Sequence, residues 1–297
     1  MKLRACVWQV LLATALLAAP PLAKAQVSVG VSVHIGPPAI PVYVQPPCPA
    51  SNYIWTPGYW AWGTDDYYWV PGTWVAAPSP GLLWTPGYWG WGVGGVYLWH
   101  GGYWGAHVGF YGGINYGFGY GGAGFVGGEW RGGAFAYNTA VVNVNRTVVN
   151  NTYVNNTVIN NNTTINRTSF NGGPNGVAAQ PTQQEQAFAN ERHIPPTQAQ
   201  AQHEHVAGQD RANFASVNHG SPAHAAIARP ATNVAALSHA TPAREASANT
   251  RSAQTKPKPT HASSPAHPHP AAAHPGGGHQ PASHPAPHSS SEHKRGH

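Results

Sequence analysis

Trp55-Thr-Pro-Gly-Tyr-Trp60, Trp69-Val-Pro-Gly-Thr-Trp74, Trp84-Thr-Pro-Gly-Tyr-Trp89 and Trp99-His-Gly-Gly-Tyr-Trp104 are four copies of one motif. Their starts step by 14, 15 and 15 residues. With Trp62 and Trp91, the window holds ten of the twelve Trp in the chain, so its reading decides the fold. The copies pair. A turn centred between Thr64 and Asp65 gives a hairpin in which partner numbers sum to 129. It sets Trp55 opposite Trp74, Trp60 opposite Trp69 and Trp62 opposite Tyr67. A second hairpin centred on Gly94 sums to 188 and sets Trp84 opposite Trp104, Trp89 opposite Trp99 and Trp91 opposite Tyr97. Cross-strand aromatic pairs are a main unit of sheet stabilisation, and Gly and Asp near the two centres suit hairpin loops.

The two Trp of one copy are five residues apart, and a regular strand points such residues to opposite faces. A bulge at Pro-Gly adds one residue and returns both rings to one face. The other reading is a tight turn at each Pro-Gly, giving a meander of shorter strands.

The Trp-x-Pro-Gly-x-Trp spacing, with Tyr88-Trp-Gly-Trp91, resembles the bacterial exported proteins named for YXWGXW (WXXGXW) repeats. The stretch Gly128–Phe135, the Asn/Val/Thr run after it and Phe214–Gly220 are similar to that family as well. The fourth copy departs from the pattern, with His100-Gly101 in place of x-Pro. The resemblance implies an exported compartment and carries no activity to transfer.

Outward from the motifs, the chain changes character by segment. Residues 1–25 read as a secretory signal peptide: Lys2 and Arg4, an apolar run over 5–19, then Ala23-Lys-Ala25 as a small-x-small cleavage site. Residues 26–50 combine a strand, in which Val27, Val29, Val31, Val33 and Ile35 alternate with polar or small residues, and a Pro-rich linker of polyproline character. His34 falls on the polar side of that strand. The Trp hairpins occupy 51–105 and a Gly/aromatic-rich segment 106–137. In 138–171, Thr147-Val-Val-Asn-Asn, Thr152-Tyr-Val-Asn-Asn and Thr157-Val-Ile-Asn-Asn repeat every five residues. Such a period fits β-solenoid coils with stacked Asn, or a polar stretch that is flexible alone.

Residues 172–220 hold two short helix candidates, each opened by a capping box, Thr182-Gln-Gln-Glu185 and Thr197-Gln-Ala-Gln200. Few large apolar residues line them, so they read as exposed or loosely docked. Residues 221–297 are rich in Ala, Pro, Ser and His and read as a disordered tail. The expected fold class is mainly β: Trp-rich antiparallel hairpin repeats, an Asn/Thr/Val β-repeat, two short helices and that tail.

Charge and chemistry narrow the function. The formal charge is +6. Without Lys2, Arg4 and Lys24 of the leader, 12 basic residues face 9 acidic ones, a mild excess that does not argue for a nucleic-acid partner. Asp65, Asp66 and Glu129 are the only acids between 26 and 184, and the two Asp belong to a turn. No nucleophile motif or phosphate loop is present. The reading is a non-enzyme without cofactor. With the leader gone, Cys48 is the single Cys, open to an intermolecular disulfide or to life as an inert thiol. His267 and His269 are weak metal candidates in a tail with no fixed geometry. No further run reaches transmembrane length. The leading expectation is an exported envelope or secreted structural protein that self-associates. The alternative is an aromatic platform, built from the ten Trp of the repeats, that binds polysaccharide or cell-wall material. Metal binding by the tail ranks third.

Overall fold

The two hairpins form in the expected register. Strand β1 (Val29–Val33) precedes them. The first hairpin comprises β2 (Tyr53–Thr56), β3 (Tyr59–Trp62), β4 (Tyr67–Val70) and β5 (Gly72–Ala76). Trp55 pairs with Trp74, Trp60 with Trp69 and Trp62 with Tyr67. The second comprises β6 (Leu83–Thr85), β7 (Tyr88–Gly92), β8 (Val96–His100) and β9 (Tyr103–Gly105). Here Trp84 pairs with Trp104, Trp89 with Trp99 and Trp91 with Tyr97. All four Trp pairs hold their ring centroids 5.3 Å apart, at interplanar angles between 51° and 67°. The computed structural model describes residues 29–157 and 167–239, all within the unit Met1–Ser247. The expected leader and the chain beyond 239 lie outside them.

The Pro-Gly steps resolve the choice between bulge and meander in a third way. Pro57-Gly58 lies opposite Pro71-Gly72, so both strands break at one level and the register is unchanged across the break. Each hairpin becomes two short ladders, β2–β5 with β3–β4, and β6–β9 with β7–β8. As the bulge reading required, the first and last Trp of a copy face the same side. Trp55, Trp60, Trp69, Trp74, Trp84, Trp89 and Trp104 are all buried, and Trp99 is half-buried.

Glycine is required at these breaks by close approach. A Cβ on Gly72 would sit 2.6 Å from Trp55 Cζ2, and one on Gly58 would strike the ring of Trp69. The second hairpin repeats the exchange: Trp99 lies 2.6 Å from such an atom on Gly87, and Trp84 covers Gly102. In each hairpin the first Trp of one copy therefore roofs the Gly of the other. This explains why the fourth copy can lose its Pro at Gly101 but keeps Gly102.

A broken ladder leaves backbone groups that must find partners, and these partners gather the rest of the chain. Tyr43 Oη accepts from Gly58 N at 3.5 Å. Ala225 O accepts from both Gly72 N and Trp69 Nε1. Tyr116 Oη donates to Gly87 O at 2.7 Å, and Tyr120 Oη to Trp84 O at 2.9 Å. Those tyrosines belong to the Gly/aromatic segment, which folds as the hairpin β10 (Asn115–Gly117) with β11 (Tyr120–Gly121). A further hairpin, β12 (Gly128–Arg131) with β13 (Ala134–Asn138), closes that end.

Five expectations change. The Pro-rich stretch is packed rather than a free linker: Ile40, Tyr43, Gln45 and Cys48 are buried. An extended Pro-rich backbone makes no internal hydrogen bonds, so its carbonyls accept indole N–H groups, Ala39 O from Trp60 and Pro46 O from Trp74. Strand β1 pairs with β8 but ends at Val33, short of the expected alternation through Ile35, which is exposed. In the Asn/Thr/Val segment, β14 (Thr152–Tyr153) pairs parallel with β13. Asn145 and Asn155, however, spend their side chains capping turns to the amides and hydroxyls of Thr147 and Thr157, rather than stacking in a ladder. The rest of that repeat, 158–166, lies outside the described residues. Beyond it, β15 (Phe170–Asn171) adds parallel to β7.

Among the described residues three α-helices form: α1 (Gln183–Phe188), α2 (Gln198–Gln209) and α3 (Ala215–Asn218). Both expected capping boxes are present. Helix α2 is docked, with His203, Val206 and Ala207 buried. Finally, residues 221–239 belong to the fold. Strand β16 (Ala226–Ile227) adds parallel to β5, with Ala225, Ala226 and Leu237 fully buried. An Ala-rich segment needs little room, and it found an open strand edge.

Candidate functional site: the junction of the four motifs

Within each copy, strand alternation sends positions 1 and 6 to the core and positions 2 and 5 to the opposite face. That face is where the two hairpins meet. Thr56, Val70 and the fifth-position residues Tyr59 and Thr73 line a cavity of about 90 Å³. Thr85, His100, Tyr88 and Tyr103 line an adjoining cleft of about 770 Å³. All four second positions and all four fifth positions thus face one continuous space. Trp99, Pro86, Gly101, Gly102 and Pro196 border both parts.

The walls are flat rings in fixed stacks. Tyr59 lies on Trp99 with centroids 5.1 Å apart. Tyr88 stacks on His100 at 4.5 Å, and Tyr103 on His193 at 3.7 Å. Phe110 meets Tyr88 edge-on. Helix α2 closes the cavity with Gln200, His203 and Glu204, and α1 borders the cleft with Glu185 and Gln186.

Hydrogen bonding sets the protonation states. His203 Nδ1 accepts from Ala231 N at 3.0 Å, which leaves Nε2–H to donate to Pro71 O at 2.8 Å. Burial holds this imidazole neutral, with its pKa lowered to about 4. Burial also lowers His100. It raises the Glu204 carboxyl, against a hydrogen bond from the Tyr59 hydroxyl that pulls the other way. Glu185 is committed to the α1 capping box. The Thr73 hydroxyl has no hydrogen-bond partner among the described residues and is 1% exposed. Neither lining contains Lys or Arg.

The sequence-derived candidates divide sharply. Seven of the ten Trp are interior, and of the ten only Trp84, at the cavity, and Trp99, at both cavity and cleft, line the site. Trp62 and Trp99 are half-buried, and only Trp91 is exposed, at 38%. Cys48 is fully buried and its thiol donates to Ala50 O at 3.1 Å. Burial pushes its pKa up to about 11. Of the two readings left open, that placement favours the inert thiol over the intermolecular disulfide, because the sulfur is buried. His267 and His269 lie outside the described residues. Among the described residues no group of three or more His, Cys, Asp or Glu is placed to hold a metal ion, and no helix is long and apolar enough to cross a membrane. The residues sequence reasoning missed are Tyr59, Tyr88 and Tyr103. Their signal was present: the position before the last Trp must face away from it.

The repeats themselves define the class. The family model for the WXXGXW repeat, in two copies, matches residues 51–75, so the first hairpin is a WXXGXW repeat pair. No curated protein and no solved structure matches the chain.

Proposed function

We propose that this chain is an exported, non-enzymatic binding protein of the cell envelope, and that its aromatic cleft takes a glycan strand. The observation that carries this reading is the placement of the eight second- and fifth-position side chains around two adjoining spaces, four at the small cavity and four at a cleft walled by Tyr88, Trp99, Tyr103 and Phe110. Flat rings with few polar groups suit the apolar faces of pyranose rings, and a largely preformed cleft spares the cost of ordering it. The leader supports export. The platform has moved, however, from the Trp rows to the tyrosines between them.

The test is titration of the full chain with soluble oligosaccharides, followed by Trp fluorescence because Trp99 borders the cleft. Tyr103→Leu removes one stacking face while keeping apolar bulk. It is expected to weaken binding by about three- to tenfold, the worth of one aromatic contact. Unchanged fluorescence across a broad glycan panel would end this reading.

Self-association has one observation of its own. At the tip of the second hairpin, Val93 is 100% exposed beside Trp91. This apolar tip supports a contact between copies as a second reading.

A further inference from the structure

The small cavity differs chemically from the cleft beside it. Its volume, about 90 Å³, is roughly that of three waters at ~30 Å³ each, enough for a small polar group but not for a sugar ring. Its one ionisable acid is Glu204, beside the unpartnered Thr73 hydroxyl, which can accept as well as donate, and the aromatic rings of Tyr59 and Trp99 form part of the wall. No Lys or Arg lines it, and both nitrogens of His203, its one imidazole, are already bonded. A half-buried carboxylate with no Lys or Arg beside it among the described residues favours a cationic guest.

We infer that this cavity is a subsite for the ammonium group of an amino sugar, so that the cleft prefers a glycan carrying free amines. The inference rests on the glycan reading above and names its substrate class. In this arrangement the sugar ring lies in the cleft against Trp99, and its amine reaches past Pro86 and Gly102 toward Glu204 and Thr73. Burial raises the Glu204 pKa, and an ammonium partner would reverse that by stabilising the charged carboxylate. An acetylated amine brings no charge to meet the carboxylate.

The experiment compares three β-1,4-linked hexamers, of glucosamine, N-acetylglucosamine and glucose, titrated calorimetrically into the full chain. The glucosamine hexamer is expected to bind about tenfold tighter or better than the other two. Glu204→Gln should abolish that preference. Tyr59→Phe, which removes a single hydroxyl, should reduce the preference and guards against a Glu204 variant that misfolds. Equal affinity for all three hexamers would overturn the ammonium subsite and leave the glycan reading standing. Binding by none would remove both. A preference that survives in both variants would also overturn the assignment, because the selecting group would then lie elsewhere.

Discussion

At the scale of single residues, the motif is a rule about which side chain may stand under which ring. Gly102 lies beneath Trp84, whereas a Cβ on Gly101 would meet nothing within 4 Å. Gly102→Ala should therefore cost about 1–3 kcal/mol, the usual range for forced overpacking. Gly101→Ala should stay within about 0.5 kcal/mol. Urea denaturation of the two variants checks the pair, and equal midpoints would refute the roofing argument. His203 gives a second residue-scale expectation. Its folded pKa, about 4, lies below the ordinary 6.5, so the unfolded chain binds more protons between those values. The stabilisation is complete above pH 6.5 and is lost as pH falls toward 4. The span amounts to something on the order of 3 kcal/mol. A protonated ring would also turn Nδ1–H toward Ala231 N–H. His203→Gln keeps a donor and an acceptor but does not titrate. Urea midpoints measured from pH 7 to pH 5 should fall less steeply in that variant than in the parent.

At the scale of elements, interruption rather than continuity organises the strands. Unbroken hairpins would pair their inward-facing backbone groups with each other. Paired Pro-Gly steps leave carbonyls and amides that Tyr43, Tyr116, His203 and Ala225 supply with partners. Strand β16 shows how much depends on this. Ala226 pairs with Gly72 and is fully buried. Ala226→Asp would bury an unpaired carboxylate and should lower stability by several kcal/mol, on the order of 3 or more. A freely solvated tail would tolerate the change, so an unaltered thermal midpoint would restore the disordered reading of residues 221–239. The two capping boxes were legible because they are local: Thr and Glu or Gln three residues apart satisfy each other's backbone without help from elsewhere. The docking of α2 was not, because its buried face consists of a His, a Val and an Ala rather than an apolar stripe.

At the scale of the whole molecule, the Trp rows tie the two hairpins together. Trp89 Nε1 donates to Trp60 O at 2.8 Å, and Tyr67 packs on Trp89 at 5.3 Å. Most of the tryptophan surface is thus spent on cohesion, and the face left for partners is the cleft. The buried thiol has a consequence at this scale too. With its pKa at about 11 and no exposure, Cys48 should resist a thiol reagent in the native protein and react once guanidinium unfolds it. Light scattering after size exclusion should give the same mass with and without reductant. If a larger species forms at higher concentration, the Trp91–Val93 tip is its proposed contact, and Val93→Asp should disperse it. A species that collapses only with reductant would instead return Cys48 to the surface.

The sequence alone determined what depends on local order: the pairing register of both hairpins and the two helix starts. These follow from spacing, from the alternation of side chains along a strand, and from hydrogen bonds between near neighbours. Only the tertiary structure decided where the orphaned backbone groups of the Pro-Gly breaks find partners. It therefore decided that a Pro-rich stretch becomes part of the core, that residues 221–239 become a strand and a turn, and that the tyrosines between the tryptophans face a common cleft. The reason is physical: a carbonyl released by a broken ladder accepts any donor that packing brings to it, and nothing local in the chain says which donor that will be.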